Sequence, residues 1–260
     1  MKLRSFLAAL IGLALAAPAF AQSAQDIAAK ASAAAYYAGS TGRADVSMVI
    51  TDRQGRERKR QLTILRRNDG GANGDQKFYV YFHRPADVSR TSFLVWKKAR
   101  GADDRWLYLP ALDQVRRIAA SDERTSFVGS HFFYEDLSGR HPSEDRHELI
   151  DTTADYYVLR STPRGGRVEF AHFVSYIEKR SFIPVRVDFF DKQGERYRVY
   201  EALKVSNVDG IPTVIEARMS DSRIGGSTAV RYRRVRYNVD LPEQVFTERA
   251  LRAAPTEFLR

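Results

Sequence analysis

Between residues 44 and 237 the chain keeps returning to one pattern: apolar and polar residues alternate with a period of two, and short turn-forming stretches interrupt them. Ala44, Val46, Met48 and Ile50 recur at every second position, which marks a strand with one buried face. The turn Asp52-Arg53-Gln54-Gly55 leads into a returning strand over 58–67, and further strands follow over 77–82, 93–96 and 105–109. The second half adds 156–161, 170–177, 185–190, 196–204, 213–220 and 228–237, with Asp191-Lys192-Gln193-Gly194 and Gly225-Gly226 as turns. Strands in this order, joined by short turns, favour an antiparallel meander of about ten or eleven strands. Such a sheet must close, pack on a second layer, or curl around helices to hide its apolar face. Aromatic residues make up 12% of the chain, and a curled sheet covered by one helix and one irregular segment leaves an apolar cavity.

The N-terminus reads as an export signal. Lys2 and Arg4 precede an apolar run over 6–17, and Ala19-Phe20-Ala21 matches the small-x-small cleavage pattern, so residues 1–21 are a signal peptide and the mature chain starts at Gln22. The apolar run is shorter than the roughly 20 residues a spanning helix needs. The chain has no Cys, which excludes a lipid-anchored N-terminal Cys, disulfides and thiol chemistry. The rest reads as one domain over 22–252 and a C-terminal tail over 253–260, with the chain after Arg249 frayed. Net charge is +10, falling to +8 once Lys2 and Arg4 leave. In an exported protein this favours peripheral contact with anionic lipid over nucleic acid. Arg231-Tyr232-Arg233-Arg234-Val235-Arg236-Tyr237 interleaves basic and aromatic residues. On a strand it puts Arg231, Arg233 and Val235 on one face and Tyr232, Arg234 and Arg236 on the other, as a charge-protected edge would.

A helix precedes the strands. Ser23 and Asp26 supply its start, and Ile27, Ala28, Ala31 and Ala35 recur at helical spacing. The stretch 105–139 breaks the strand pattern. It opens with Trp106-Leu107-Tyr108-Leu109-Pro110, turns into Val115-Arg116-Arg117-Ile118, and closes on Phe127, Phe132, Phe133 and Tyr134 between Gly129 and Gly139. No catalytic constellation accompanies it. Val128-Gly129-Ser130-His131 lacks the second glycine of a nucleophile elbow. His141 and His147 lie beside Glu144 and Asp145 but at no metal-ligand spacing. No phosphate-cradling glycine loop occurs, so the reading has no metal, no cofactor and no enzyme activity, with a secreted hydrolase as the less favoured alternative.

The order of several short motifs resembles the outer-membrane lipoprotein-sorting protein family, the LolA-like proteins. The matching residues are Trp106-Leu107-Tyr108-Leu109-Pro110, Arg116-Arg117-Ile118, Gly129-Ser130 and Phe133-Tyr134-Glu135-Asp136-Leu137. Met48 with Asp52-Arg53-Gln54-Gly55, and Arg84-Pro85, fit upstream. Ile183-Pro184-Val185-Arg186-Val187, Gly210-Ile211-Pro212-Thr213 and Leu241-Pro242-Glu243-Gln244-Val245-Phe246-Thr247 fit downstream. The resemblance covers nearly the whole mature chain, which is longer in its central segment than the narrower lipoprotein chaperones. It implies a mainly β fold, an unclosed (half) antiparallel β-barrel with covering helices, in the periplasm. It also implies lipid or lipoprotein acyl chains as cargo, and many relatives look like accessories of RND/MMPL-type exporters. An adaptor domain of such a transporter without cargo is the alternative.

For a carrier of this kind, the expected cavity wall is Met48, Phe78, Val80, Phe82, Trp96, Trp106 and Tyr108. Arg116, Arg117 and Arg124 beside its mouth are the expected contacts for an anionic headgroup or an acidic partner. N-terminal sequencing of the exported protein should read Gln22 as the first residue; a chain still beginning at Met1 would contradict the signal reading.

Overall fold

The computed structural model describes residues 22–165 and 168–260, so the signal-peptide reading concerns residues outside the described ones. Helix α1 (Ala24–Tyr36) precedes thirteen strands. The first group is β1 (Thr41–Thr51), β2 (Glu57–Asn68), β3 (Gln76–Arg84), β4 (Ser92–Lys97), β5 (Asp104–Leu109) and β6 (Gln114–Ile118). The second is β7 (Asp145–Thr152), β8 (Tyr156–Pro163), β9 (His172–Glu178), β10 (Pro184–Phe190), β11 (Arg196–Val208), β12 (Ile211–Asp221) and β13 (Ser227–Tyr237). Short helices α2 (Tyr134–Ser138) and α3 (Glu248–Arg252) follow β6 and β13 respectively.

Among the described residues the strands form one antiparallel sheet in the order β6-β5-β4-β3-β2-β1-β13-β12-β11-β10-β9-β8-β7. Each half is a meander, and the halves join where β1 pairs with β13, Met48 opposite Val230. This leaves β6 and β7 as the two edges. They are neighbours in sequence, so the connector 119–144 has to run from one edge of the open sheet to the other. These are also the two strands that alternation does not reveal. Gln-Val-Arg-Arg-Ile and Asp-Arg-His-Glu-Leu-Ile-Asp-Thr are mostly exposed and carry charge, because an edge that must not pair with another chain is protected by charge.

The two faces of β2–β5 are covered by different parts of the chain. Phe78, Val80, Phe82, Phe93, Val95 and Leu107 point inward and pack with Phe127 and Tyr134 of the connector. The alternate residues Leu65, Tyr79, Leu94 and Trp106 point outward and pack under Leu241, Phe246, Leu251 and Leu259 of the C-terminal segment. Burial on both faces explains why β3 and β4 read as nearly continuous apolar runs. The outer cover is also hydrogen-bonded: Tyr79 donates to the Ala250 carbonyl (2.8 Å), Ser92 to Leu251 (2.7 Å) and the Trp96 indole to Phe246 (2.8 Å). The end of the chain also touches the sheet. Leu259 is buried, and Arg43 donates to the Phe258 carbonyl at 3.0 Å.

Helix α1 and the connector cover the inner face together. Ser23 caps α1 by accepting from the Asp26 amide, and Ile27, Ala28 and Ala31 pack on Leu159 and Ile177 of β8 and β9. At the other end, Arg66 donates to the Tyr36 (2.8 Å) and Ala38 carbonyls and Gln76 to the Tyr36 carbonyl (2.6 Å). Burial lowers the Arg66 pKa to about 10. With no carboxylate partner among the described residues, Arg66 gives its donors to the negative end of the helix dipole. Lys97, also buried, donates to the Ser138 and Gly139 carbonyls and lies 5.6 Å over both the Tyr36 and Tyr37 rings. Gly139 is required where the two covers meet. Its φ is +70°, and a Cβ there would fall 2.4 Å from the Tyr36 ring.

Two stability measurements check this architecture. Leu259→Ala should cost about 2 kcal/mol or more in urea unfolding, as for a core leucine, whereas a frayed residue would cost less than about 0.5 kcal/mol. Desolvation pushes the Lys97 ammonium from 10.5 down to about 8, against the pull of Asp103, Glu144 and Glu135. Between those values the unfolded chain binds more protons than the folded one, so this group makes stability rise with pH from about 8. The rise should be read below about pH 10, where exposed tyrosines begin to ionise, and Lys97→Met should flatten it in urea midpoints measured across that window.

Candidate functional site

The space under α1 and the connector is not filled. A cavity of about 400 Å³ lies between them and the inner face of the sheet, within the range of about 300–1,000 Å³ typical of small-molecule sites. Its roof is Ala28, Ala31, Ser32 and Ala35 of α1, and the smallness of these side chains is what leaves the room. Its floor is Val46, Met48, Leu62, Ile64 and Phe78 of β1–β3 with Val230 and Met219 of β13 and β12. Phe127, Phe132, Phe133 and Leu137 of the connector form one wall, and Leu159, Phe173, Ile177 and Phe189 of β8–β10 form another.

A bulge decides part of this lining. Arg234 has φ +47°, and the pairing of β1 with β13 shifts register between Arg43↔Arg236 and Asp45↔Arg233. The extra residue reverses the parity of the strand. Val230 and Tyr232 before it, and Val235 and Tyr237 after it, all line the cavity, while Arg231, Arg233 and Arg236 are exposed. Strict alternation would place Val235 with Arg231 and Arg233, and Tyr232 with Arg234 and Arg236; the bulge corrects both assignments.

One side of the cavity is ionic but internally balanced. Glu135 sits between Arg124 and Arg140, the latter at 2.8 Å. Arg124 also holds Glu169 at 2.7 Å, and Arg140 holds Asp145 at 3.2 Å. Arg198, fully buried, pairs with Asp136, donates to the His131 carbonyl at 2.9 Å, and lies 4.0 Å over the Phe133 ring. Burial works against the charge of Arg124, but its hydrogen bonds to Glu169 and the charge of Glu135 raise its pKa further above the ordinary value. Removing one partner of such a pair costs about 3–5 kcal/mol, because the other charge stays buried alone. The cluster thus fastens the connector to β11. His147 and His141 border the cavity with their ring nitrogens engaged: His147 with Ser161 Oγ and the Pro142 carbonyl, both at 2.8 Å, and His141 with Ser143 Oγ at 2.7 Å and the Asn73 carbonyl at 3.0 Å.

Of the residues singled out from sequence, Met48 and Phe78 line the cavity. Val80 and Phe82 lie on the same face of β3 but are sealed in the solid core against Phe93 and Phe127. Trp96, Trp106 and Tyr108 are on the other face of the sheet. Register puts Phe78 opposite Val95 and Phe93 opposite Leu107, so the inward residues of β4 and β5 are Phe93, Val95 and Leu107. Trp96 and Trp106 meet edge to face, ring centroids 4.8 Å apart, under the C-terminal segment instead. Arg116 and Arg117 are exposed on the edge strand β6, Arg117 paired with Asp104. Arg124 borders the cavity, but its charge is already spent on two carboxylates. The sequence reading missed Ala31, Tyr200 and Tyr232. Ala31 was visible only as part of a helix repeat, and Tyr200 and Tyr232 alternate within strands whose inward side depends on the sheet order.

Solved structures share this architecture. A DUF1329 family protein from Desulfovibrio piger is 28% identical, with a TM-score of 0.80 over 88% of this chain and 97% of that one. A structure described as an outer-membrane lipoprotein-sorting protein domain from Vibrio parahaemolyticus is 26% identical, with a TM-score of 0.79 over 88% and 98%. A LolA superfamily protein from Nitrosomonas europaea is 20% identical, with a TM-score of 0.66 over 88% and 99%, and shows the fold alone. A search of curated proteins finds no match. A family model described as "Uncharacterized protein" matches residues 74–253. With this match over most of its length, the chain belongs to the family of that model, and it shares the unclosed-sheet fold of these solved structures.

Proposed function

We propose that this protein is a periplasmic carrier that holds an acyl chain of a lipid or lipoprotein in the cavity under α1 and hands it on. The observation that carries the reading is the unfilled apolar space between the sheet, α1 and the connector. A solid core would have no reason to place alanines opposite Met48 and Phe78. Burying an acyl chain is worth about 0.8 kcal/mol per methylene, roughly 12 kcal/mol gross for a long chain, before the losses of binding. The lipoprotein-sorting description of the Vibrio parahaemolyticus structure supports the same role, as does the fold shared with the LolA superfamily protein. No helix among the described residues is long and apolar enough to cross a membrane. Ligand contact is assigned to Met48 and Phe78 in the floor. The exposed pair Arg116 and Arg117 is assigned to an anionic headgroup or to a partner, an RND/MMPL-type inner-membrane transporter. The role is binding and transfer rather than catalysis.

Delipidated protein should bind an environment-sensitive fluorescent fatty acid saturably, and native mass spectrometry of protein taken from its own periplasm should show a lipid adduct. Ala31→Phe projects a ring into the cavity. It should weaken the fluorescent ligand at least about tenfold, at a stability cost of no more than about 1–3 kcal/mol, because Ala31 also packs on Leu159 and Ile177. Absence of saturable binding in the unaltered protein would sink the carrier reading.

A further inference from the structure

The cavity is not uniformly apolar. Tyr200 of β11 and Tyr232 of β13 project into it from the sheet, and Tyr36 projects from the last turn of α1. Four other tyrosines have hydrogen-bond partners. Tyr79 donates to the Ala250 carbonyl, Tyr37 to the Gly74 carbonyl and Tyr197 to Glu169, and Tyr237 is 2.9 Å from Thr213 Oγ1. Tyr36 reaches only the Asp136 carbonyl, at 3.5 Å. The Tyr200 and Tyr232 hydroxyls have no partner among the described residues. A buried tyrosine hydroxyl normally finds a partner, and a buried polar group without one calls for a reason. These two retain accessible surface although protein surrounds them, and that surface faces the cavity.

All three tyrosines line the same cavity. Burial moves all three upward, Tyr232 to about 12, so they are neutral donors throughout the physiological range. The adjoining ionic cluster has no charge to spare for an anion, since Arg124, Arg140 and Arg198 already face Glu135, Asp136, Asp145 and Glu169. Arg66 spends its donors on backbone carbonyls.

We propose that Tyr200 and Tyr232 form an internal polar subsite that receives the uncharged oxygen acceptor of the cargo, an ester carbonyl, while its hydrocarbon chain lies along Met48, Ile64 and Phe78. This deepens the carrier reading and rests on it. The cargo is then an esterified acyl chain bound with its ester inside the protein, rather than a free fatty acid held by its carboxylate at the mouth.

The test measures displacement of a fluorescent apolar probe from delipidated full-length mature protein by dodecane, methyl dodecanoate and dodecanoate. In the unaltered protein the ester should bind at least about tenfold tighter than the alkane and tighter than the carboxylate, as two ordinary hydrogen bonds allow. Tyr200→Phe and Tyr232→Phe should each lower ester affinity by about fivefold. The double variant should bring the ester to the level of the alkane, with alkane affinity and thermal midpoint retained. An ester preference that survives in the double variant would overturn the proposal. So would an equal loss for all three ligands, which would make the tyrosines packing residues, or a carboxylate bound more tightly than the ester. If none of the three displaces the probe, the carrier reading itself falls, an outcome distinct from alkane and ester binding equally well.

Discussion

The pairing of β1 with β13 is the contact on which the remaining architecture depends. It joins two meanders back to back and sends the strands that flank the central connector, β6 and β7, to opposite edges. A chain that has to return from one edge to the other can do so over the open face or around the outside. Here it crosses the inner face, because Phe127, Phe132 and Tyr134 gain apolar contact there with Phe82 and Phe93. The sheet stays unclosed because this connector and α1 occupy the space that closure would need.

Crossing the inside obliges the connector to bury polar backbone and charged side chains, and each has a partner that fixes its position. Arg198 answers Asp136, Arg124 and Arg140 answer Glu135, and Lys97 answers the carbonyls that end α2. Such buried charges are weak sources of net stability, but they are strongly destabilising if separated, so they specify one seat for the connector. Helix α1 is held differently. Arg66, Asn68 and Gln76 hold its C-terminal end, Asn73 donates to the Ala29 carbonyl at 3.1 Å, and Ile27, Ala28 and Ala31 pack on Leu159 and Ile177. The void and the alanine face of α1 belong together. Small side chains create room for a ligand and also make the contact that a ligand would have to replace inexpensive to lose.

The tyrosine hydroxyls add a chemical distinction to that room. An apolar cavity ranks ligands by the surface they bury, and every methylene counts alike. Unpartnered donors inside it discriminate between ligands of equal length, because filling the site with a ligand that lacks an acceptor leaves those donors unsatisfied. In the proposed carrier, cargo class is tied to two residues, Tyr200 and Tyr232, that sit on strands far apart in sequence from α1 and the connector.

The sequence alone determined the local elements. Period-two alternation located eleven of the strands, and the capped alanine helix and the irregular stretch over the centre were legible as departures from it. Motif order carried the family resemblance, and Met48 and Phe78 were placed among the cavity residues by alternation in their own strands. The rest was decided by non-local pairing. Edge strands β6 and β7 show little apolar alternation because they carry charge where a central strand carries a second partner. The side of the sheet on which Trp96 and Trp106 fall depends on their register with β3, and on a C-terminal segment that covers the outer face. The bulge at Arg234 exists only through the register shift against β1, and it turns Val235 and Tyr237 inward. Alternation states which residues share a face within one strand. Which face is inside, and whether it is filled or hollow, is settled only when strands distant in the chain pair and the connector takes its place between them.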